Sequence, residues 1–284
     1  MDLALKYRNQ INDKLLEISK IYNNNPEISD SIKYTLLNNG KLARSVIILL
    51  GLNALNIDSN KGLDVACALE MIQSYTLIHD DLPEMDDASI RRGKATNHLV
   101  YGHGVALLAG DALLTDSFYV LSRTNLDSDQ KCKLIELFSK KAGGLGVCYG
   151  QVLDIMNENN YFSTWEEIKK IISLKTCALF ELAFSSIGII AKFDESKINI
   201  LEKIGYSFGL AFQIQDDLND YLKEQKEIGK DNAQDENKCL YHKIYGVDKA
   251  IKEINSLLKQ IKEDCENIFG IDNYLYQYLL SLIK

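Results

Sequence analysis

Two groups of acidic side chains are the residues of this chain best suited to do chemistry. One occupies residues 80–87 and the other residues 216–220, and both lie in or beside apolar runs with helical spacing. Adjacent carboxylates repel each other, which costs free energy unless a cation binds between them. Mg²⁺ takes carboxylate oxygens and commonly keeps water or phosphate oxygens as further ligands. The two groups therefore predict a pair of facing magnesium sites.

The first acidic group closes an apolar helical pattern. Asp80 and Asp81 stand at its end, Pro83 ends or kinks the helix, and Asp86 lies just beyond. The alternative is a solvated helix end, or a surface that binds basic partners. The apolar residues before Asp80 favour the metal site, because carboxylates at the mouth of a cavity leave room for water and substrate oxygens.

The second acidic group lies within a single helical pattern. Asp216 and Asp220 are four residues apart and share one helix face, where like charges are destabilising without a cation. Asp217 points about 100° away from Asp216. Gln213, one turn before Asp217, is placed to hydrogen-bond a phosphate oxygen or a metal-bound water. A charged helix surface is the alternative, and the apolar neighbours argue against it.

Basic side chains bracket both acidic groups. Arg91 and Arg92 follow the first group, and a guanidinium fork matches phosphate oxygens with two hydrogen bonds. Lys175 stands in a mostly apolar pattern, an unusual place for a lysine without a partner. Taken singly, each is more often a solvated surface charge, but together they predict that the metals hold a diphosphate. The set is Lys41, Arg44, Arg91, Arg92, Lys175, Lys226 and Lys238.

Helical periodicity must position these residues, because strand-like alternation is scarce and the chain has only two prolines. The polar stretch 222–238 is expected to be a loop or a frayed helix end. No repeat or interdomain linker is evident, so we expect one all-α domain over residues 1–284. The predicted helices are 2–21, 29–38, 44–56, 63–81, 105–123, 129–157, 164–191, 195–224, 239–268 and 272–283.

Bulk properties exclude several functional classes. The net charge of −8 makes nucleic acid an improbable partner. The six cysteines form no Cys-x-x-Cys pair, which argues against zinc and against a disulfide framework. The N-terminus lacks the pattern of a signal peptide, and the longest apolar run, near 46–50, is too short to span a bilayer. We therefore expect a cytoplasmic protein with no membrane span.

Several blocks in sequence order resemble the trans-polyprenyl diphosphate synthase family, the head-to-tail isoprenyl synthases, and especially its bacterial farnesyl diphosphate synthases (geranyltranstransferases). The resemblance covers residues 38 to 241, and a series of multi-residue matches in order makes it specific. The matching blocks are His79–Asp87, Arg91–His98, Leu108–Leu113, Gly150–Asp154, Lys175–Thr176 and Phe212–Asp220.

The resemblance implies an isoprenoid synthase helical bundle around a deep central cavity, three Mg²⁺ ions and a homodimer. It also implies Mg²⁺-dependent condensation of dimethylallyl or geranyl diphosphate with isopentenyl diphosphate. The implied metal ligands are Asp80, Asp81, Asp86, Asp216, Asp217 and Asp220. The allylic diphosphate is matched by Arg91, Lys175, Thr176, Gln213, Lys226 and Lys238. Isopentenyl diphosphate is matched by Lys41, Arg44 and Arg92, with Gln73 where the family usually has histidine. The catalytic set is Asp80, Asp81, Arg91, Lys175 and Asp216.

Product length is argued from the helix that ends at Asp80. Thr76 lies one turn below Asp80, and Tyr75 about 7 Å below it along the axis. A tyrosine ring there would be a floor for the growing chain. In the family, an aromatic residue at this position together with the Leu82-Pro83 insertion goes with a C15 product. We therefore expect farnesyl diphosphate, with geranylgeranyl diphosphate as the alternative.

Two further interpretations stay open. A terpene synthase-like enzyme would keep both metal sites and ionise a prenyl diphosphate without isopentenyl diphosphate. Leu42, where the family usually has arginine, and Gln73 favour that alternative, whereas the basic residues that match the isopentenyl site oppose it. A non-catalytic regulatory subunit is the second alternative, and its expected signature, a damaged aspartate group, is absent from this sequence.

Overall fold

The computed structural model describes residues 2–38, 40–158, 164–227 and 240–283. The described chain is almost entirely helical, which confirms the all-α prediction. It divides into two compact units, Met1–Glu136 with Ile189–Lys192, and Leu137–Gly188 with Phe193–Lys284. The expectation of one domain over the whole chain stays a prediction.

The N-terminal helices surround α4, which is buried on most of its faces. Its contacts with α1, α2, α3 and α6 explain why its sequence is apolar nearly all round. The helices are α1 (Leu3–Ile18), α2 (Pro26–Leu36), α3 (Ala43–Ala54), α4 (Leu63–Asp80), α5 (Asn97–Tyr101) and α6 (His103–Ser122). Short 3₁₀ turns cover Ser19–Tyr22 and Ser59–Gly62.

The remaining helices show the same apolar patterning. The longest, α11, carries the second acidic group and continues past residue 222, where the sequence predicted a loop or a frayed end. These helices are α7 (Ser128–Ala142), α8 (Val147–Glu158), α9 (Trp165–Ile172), α10 (Ala178–Ile190), α11 (Glu195–Glu227), α12 (Tyr241–Tyr245), α13 (Val247–Phe269) and α14 (Tyr274–Ile283). A π-helical segment, Ser173–Cys177, joins α9 to α10.

A two-stranded hairpin follows the first acidic group, where the sequence predicted a loop. Strands β1 (Ile90–Arg91) and β2 (Lys94–Ala95) pair antiparallel around a two-residue turn. Both turn residues have positive φ, 53° at Arg92 and 75° at Gly93. Such turns match the twist of hairpin strands, and glycine supplies one of the two left-handed positions without strain.

Two predicted helices are each broken at glycine. The predicted 129–157 helix ends at Ala142 and restarts at Val147. A Cβ on Gly146 would lie 2.0 Å from the backbone oxygen of Lys141, so only glycine fits there. The predicted 239–268 helix is interrupted at Gly246, whose φ is 87°. Sequence periodicity runs through both breaks, because a glycine inside a helical pattern does not by itself mark an end.

Two helical stretches have the length and apolar composition of a membrane span, which the sequence reading did not anticipate. They are His103–Ser122 and Trp165–Ile190. In their most apolar windows, 39% of the first and 78% of the second is buried inside the protein. Core helices of ordinary globular proteins pass the same test, so these two stretches are weak evidence for a span.

Helix α9 begins with a capping box. The Thr164 side chain accepts a hydrogen bond from the Glu167 backbone N–H, and the Glu167 carboxylate accepts one from the Thr164 backbone N–H. The box satisfies N–H groups that the first helical turn leaves without partners.

We expect Thr164→Ala to lower the free energy of unfolding by about 1 kcal/mol, because the replacement leaves a helix-end donor without its acceptor. Thr164→Ser is the matched control, since it keeps the hydroxyl and should stay within about 0.5 kcal/mol of the parent protein. Urea unfolding of the three proteins measures both differences. Equal losses for the alanine and serine variants would contradict the capping role.

Candidate active site

The first acidic group gathers at the C-terminal end of α4. Asp80 is the last helical residue and Asp81 its C-cap. The following loop turns back, so that the Asp86 backbone N–H donates to the Asp80 carbonyl at 2.9 Å. A helix C-terminus carries the negative end of the helix dipole, which makes it an unfavourable place for carboxylates. The loop therefore concentrates negative charge at the end of the helix.

Asp81 is joined to Arg91 from the hairpin. The guanidinium Nε and Nη2 both donate to Asp81 Oδ1, at 2.8 and 2.6 Å. Burial raises the pKa of the Asp81 carboxyl, and Arg91 only partly offsets that effect. The structure thus pairs a predicted metal ligand with a predicted diphosphate ligand. This contact fixes Arg91 beside the end of α4.

Arg92 lies against the turn before α3. Its Nη1 donates to the Asn38 carbonyl at 3.0 Å. A Cβ on Gly40 would lie 3.2 Å from Arg92 Nε, so glycine lets the guanidinium approach the backbone closely. Lys41 next to this turn is exposed. Leu42, where the family usually has arginine, is the N-cap of α3 in a left-handed conformation (φ 51°) and is buried.

The sequence reading missed Glu70. This carboxylate is buried on α4 and accepts a 2.6 Å hydrogen bond from Ser45 Oγ on α3. Burial raises the pKa of Glu70, and the Ser45 hydrogen bond and the charges of Arg44 and Arg92 oppose that effect. Glu70 therefore supplies negative charge to both arginines matched to the isopentenyl site. In the sequence, the feature that could have identified Glu70 is an acidic residue within the apolar run 65–72.

The predicted chain-length residues lie one to two turns below Asp80 on α4. Thr76 Oγ1 donates to the Gln73 carbonyl at 2.9 Å, and Gln73 Nε2 approaches the same hydroxyl at 3.4 Å. Tyr75 is buried, and its ring packs edge-on against His79 at 5.7 Å between centroids. Tyr75 is therefore held by a specific neighbour on its own helix.

His79 is the contact point between α4 and α6. Its Nε2 lies 3.0 Å from the Leu107 carbonyl, and a Cβ on Gly110 would lie 2.1 Å from the same nitrogen. Gly110 therefore leaves the space that the imidazole occupies. This packing holds the end of α4, and with it Asp80, against α6.

The second unit presents a polar chain of its own. The π-helical segment carries Lys175, whose Nζ lies 2.5 Å from Asp154 Oδ2, and Thr176, whose hydroxyl donates to Gln213 Oε1 at 2.8 Å. Gln213 Nε2 in turn donates to Asp217 Oδ1 at 2.9 Å. Asp154 was quoted within a matching block, yet the sequence reading assigned it no role. The structure makes it the partner of Lys175.

A cavity of about 190 Å³ lies beside this chain. Polar side chains form part of its wall, and isoleucines of α9 form another part. Its lining includes Asp154, Lys175, Thr176, Gln213, Asp217, Ile168, Ile171 and Ile172. Mixed walls of this kind, with few polar groups among apolar ones, are typical of ligand sites.

The structure describes the side chains of only some of the remaining predicted site residues. Asp216 and Asp220 are exposed on α11, whereas Asp217 is half-buried beside Gln213. The Lys226 side chain and the whole of Lys238 lie outside the described residues. The structure therefore places the three aspartates of the second group and leaves those two lysines as predictions.

The aspartates fit Mg²⁺ sites in which the protein supplies only part of the ligand shell. Within the described ranges, no three His, Cys, Asp or Glu side chains form a ready metal cluster. Mg²⁺ does not require one, because one or two carboxylates suffice when phosphate oxygens and water complete its shell. Oxygen-only donors at the end of α4 and on the exposed face of α11 are consistent with that requirement.

Comparison with known proteins agrees with this chemistry. The polyprenyl synthetase family profile matches residues 25–277. A farnesyl diphosphate synthase from Micrococcus luteus is 36% identical over 280 residues, 98% of this chain and 95% of that protein. A geranylgeranyl diphosphate synthase from Cyanophora paradoxa is 37% identical over 241 residues, 84% of this chain and 80% of that protein.

The fold is also shared with solved structures. A crystal structure of geranyltranstransferase from Thermotoga maritima superposes with a TM-score of 0.80 at 28% identity, covering 98% of this chain and 96% of that one. The family match, the curated relatives and the fold agree with one another. The chain belongs to the polyprenyl synthetase family and is a prenyltransferase of the isoprenoid chain-elongating type.

Proposed function

We propose that this enzyme condenses dimethylallyl or geranyl diphosphate with isopentenyl diphosphate, using three Mg²⁺ ions, and releases mainly farnesyl diphosphate and diphosphate. The observation that carries the proposal is the pairing of carboxylates with basic side chains in each unit. Arg91 is fixed on Asp81 in one unit, and Lys175 lies beside the Thr176–Gln213–Asp217 chain in the other. Chain elongation needs both kinds of group, because its leaving group is a highly charged diphosphate.

In this mechanism the protein stabilises charge and excludes water. Bound Mg²⁺ would supply Lewis-acid neutralisation of the diphosphate as the allylic C–O bond ionises. Arg91 and Lys175 donate hydrogen bonds to its oxygens, and fixed donors of this kind need no reorganisation as charge develops. The isopentenyl double bond attacks the allylic cation, and the resulting cation loses a proton to the released diphosphate. The isoleucines of α9 keep water from quenching the cation.

Isopentenyl diphosphate, the acceptor substrate, would bind to residues of the N-terminal unit. Lys41, Arg44 and Arg92 would bind the diphosphate of isopentenyl diphosphate, with Gln73 at the position where the family usually has histidine. Glu70 supports this assignment, because the charges of Arg44 and Arg92 act on its buried carboxylate and oppose the rise of its pKa. It also weakens the terpene synthase alternative, which would not need this cluster.

The C15 product rests on Tyr75. Relatives named for farnesyl and for geranylgeranyl diphosphate have similar identity to this chain, so identity does not choose between C15 and C20. Tyr75 is buried and packed against His79, which supports a rigid ring about 7 Å below Asp80. Geranylgeranyl diphosphate is the alternative product.

We also propose a homodimer. Helices α5 and α6 expose several large apolar side chains, which would be costly to leave in water as one patch. A second copy of this chain is the partner that the family resemblance implies. The exposed residues are Leu99, Val100, Leu107, Leu108 and Tyr119.

Product analysis by mass spectrometry tests the proposal. Purified protein is incubated with Mg²⁺, geranyl diphosphate and labelled isopentenyl diphosphate. A labelled C15 diphosphate is the expected result, and a labelled C20 product would favour the alternative. An unlabelled hydrocarbon or alcohol would indicate a terpene synthase, and failure to consume either substrate would favour a regulatory subunit.

We expect Asp80→Ala to lower kcat/KM by about 10³-fold or more, because loss of one charge-stabilising group in such a site costs about 4 kcal/mol. Glu84→Ala is the matched control, since this acid is exposed in the same loop. Steady-state kinetics at saturating Mg²⁺ measures both. Near-normal turnover by Asp80→Ala would remove this residue from the metal site.

We expect Arg91→Met to lower the free energy of unfolding by about 1–2 kcal/mol at neutral pH, because it leaves the buried Asp81 carboxylate without its partner. Without Arg91 the pKa of Asp81 rises further above its unfolded value. The difference in unfolding free energy between the wild type and Arg91→Met should therefore shrink as pH falls through that pKa, since a protonated carboxyl needs no counter-charge. Urea unfolding at several pH values measures it. The control adds Arg91→Met to an Asp81→Asn protein, where the further loss of unfolding free energy should be much smaller.

We expect Tyr75→Ala to yield products longer than C15, because the floor of the chain-binding space is removed. Tyr75→Phe keeps the ring and should keep the C15 product. Chromatography of dephosphorylated products reads the chain lengths directly. An alanine variant that still stops at C15 would show that Tyr75 only packs the core.

A further inference from the structure

A buried lysine outside the candidate site joins three helices of the second unit. Lys141 near the end of α7 contacts the carboxylates of Glu181 on α10 and of Glu202 on α11, the latter at 2.6 Å. The Lys141 and Glu181 side chains are only 13% and 11% exposed. Burial alone would lower the pKa of Lys141, but the two carboxylates outweigh it and raise that pKa. These three residues, the Lys141 triad, form a charged link between helices.

Helix α11 approaches α10 and the π-helical segment before it closely enough for their backbones to meet at two glycines. A Cβ on Gly205 would lie 2.6 Å from the Glu181 Cα, and one on Gly209 would lie 2.7 Å from the Cys177 Cα. Gly205, Gly209 and Gln213 are spaced four residues apart, so they follow one face of α11. The same face therefore carries the backbone contacts and the Gln213 side chain that meets Thr176.

Side-chain packing beside the glycines contributes to the register of these helices, since the Phe180 ring packs against Phe208 and Phe212 with 5.0 and 5.6 Å between centroids. Polar contacts add to this packing on both sides of the glycine contacts. The Thr176–Gln213 hydrogen bond, at 2.8 Å, lies on one side and the Lys141 triad on the other. The triad is the one of these two contacts that lies outside the candidate site.

The π-helical segment makes the candidate site sensitive to its position along α11. Ser173–Cys177 carries Lys175 and Thr176, and its wider turn points them toward Asp154 and Gln213. π-helical turns are rare and often occur at functional sites. Relaxation to an α-helix would shorten the hydrogen-bonded turn by one residue. These side chains would then rotate about the helix axis by as much as about 100°. Glu181, one turn beyond the segment, is held by Lys141 and opposes that rotation.

We propose that Lys141 is a positioning residue, which through Glu181 and Glu202 holds Lys175 and Thr176 in register with Gln213 and Asp217. The inference rests on the proposed function, because it takes Lys175, Thr176 and Gln213 as ligands of the allylic diphosphate and Asp217 as a metal ligand. Lys141 touches no substrate in this role. Its loss should therefore weaken allylic binding specifically, rather than abolish the chemistry.

Steady-state kinetics of Lys141→Met tests this role. We expect the KM for geranyl diphosphate to rise about tenfold or more, since misplaced binding groups are costly, while the KM for isopentenyl diphosphate changes less than about twofold. Lys141→Arg should recover most of the loss, because a guanidinium can bond both carboxylates. The matched control is Lys203→Met, which removes an exposed lysine of α11 that is adjacent in sequence to Glu202 and pairs with Asp264 at 3.2 Å.

Titration calorimetry with inorganic pyrophosphate and Mg²⁺ gives a second readout that needs no turnover. Affinity should fall about tenfold in Lys141→Met and stay unchanged in Lys203→Met. If Lys141→Met does not fold, Glu202→Gln, which weakens the half-exposed arm of the triad, replaces it in both measurements.

The outcomes separate this inference from the proposed function. A wild-type protein that neither elongates geranyl diphosphate nor binds pyrophosphate would overturn both. A wild type that does both, with Lys141→Met losing stability but keeping the kinetics and pyrophosphate affinity of Lys203→Met, would overturn the positioning role alone. Equal weakening of both KM values in Lys141→Met would likewise overturn it, because a general structural defect has no reason to spare one substrate.

Discussion

Electrostatic repulsion among carboxylates is the constraint on which the rest of this structure depends. The chain places Asp80, Asp81 and Asp86 at the negative end of α4, where each additional charge is costly. Arg91 offsets part of the cost at Asp81. A bound cation would offset more of it, so the arrangement that opposes folding is one that a divalent cation would stabilise.

The surrounding fold keeps that unfavourable arrangement in place. Helix α4 is buried on nearly all faces, so the hydrophobic contribution of its core residues holds the helix that ends in the acidic group. His79 packs in the space left by Gly110, which fixes the last turn against α6. The Arg92-Gly93 turn then directs Arg91 back onto Asp81, although one of its two left-handed residues is not glycine.

The second unit achieves positioning by a different route. The residues proposed to bind the allylic diphosphate lie on a π-helical segment and on α11, whose glycines allow backbones to meet. Near Gly205 and Gly209, the Phe180–Phe208 ring contact and the polar contacts of Thr176 and Lys141 lie beside the backbone contacts. Such polar contacts are directional, which suits a site where small displacements of binding groups change affinity.

By itself, the sequence determined the all-α class, most helix ends and the identity of the acidic and basic residues, because these follow from local periodicity, proline and charge. It did not show the breaks at Gly146 and Gly246 or the hairpin at residues 90–95, since short-range pattern does not report where a backbone must approach another. Glu70, Asp154 and Lys141 gained their partners only in the tertiary structure. Each is an ordinary charged residue in sequence, and its role depends on which distant side chain lies within hydrogen-bonding distance.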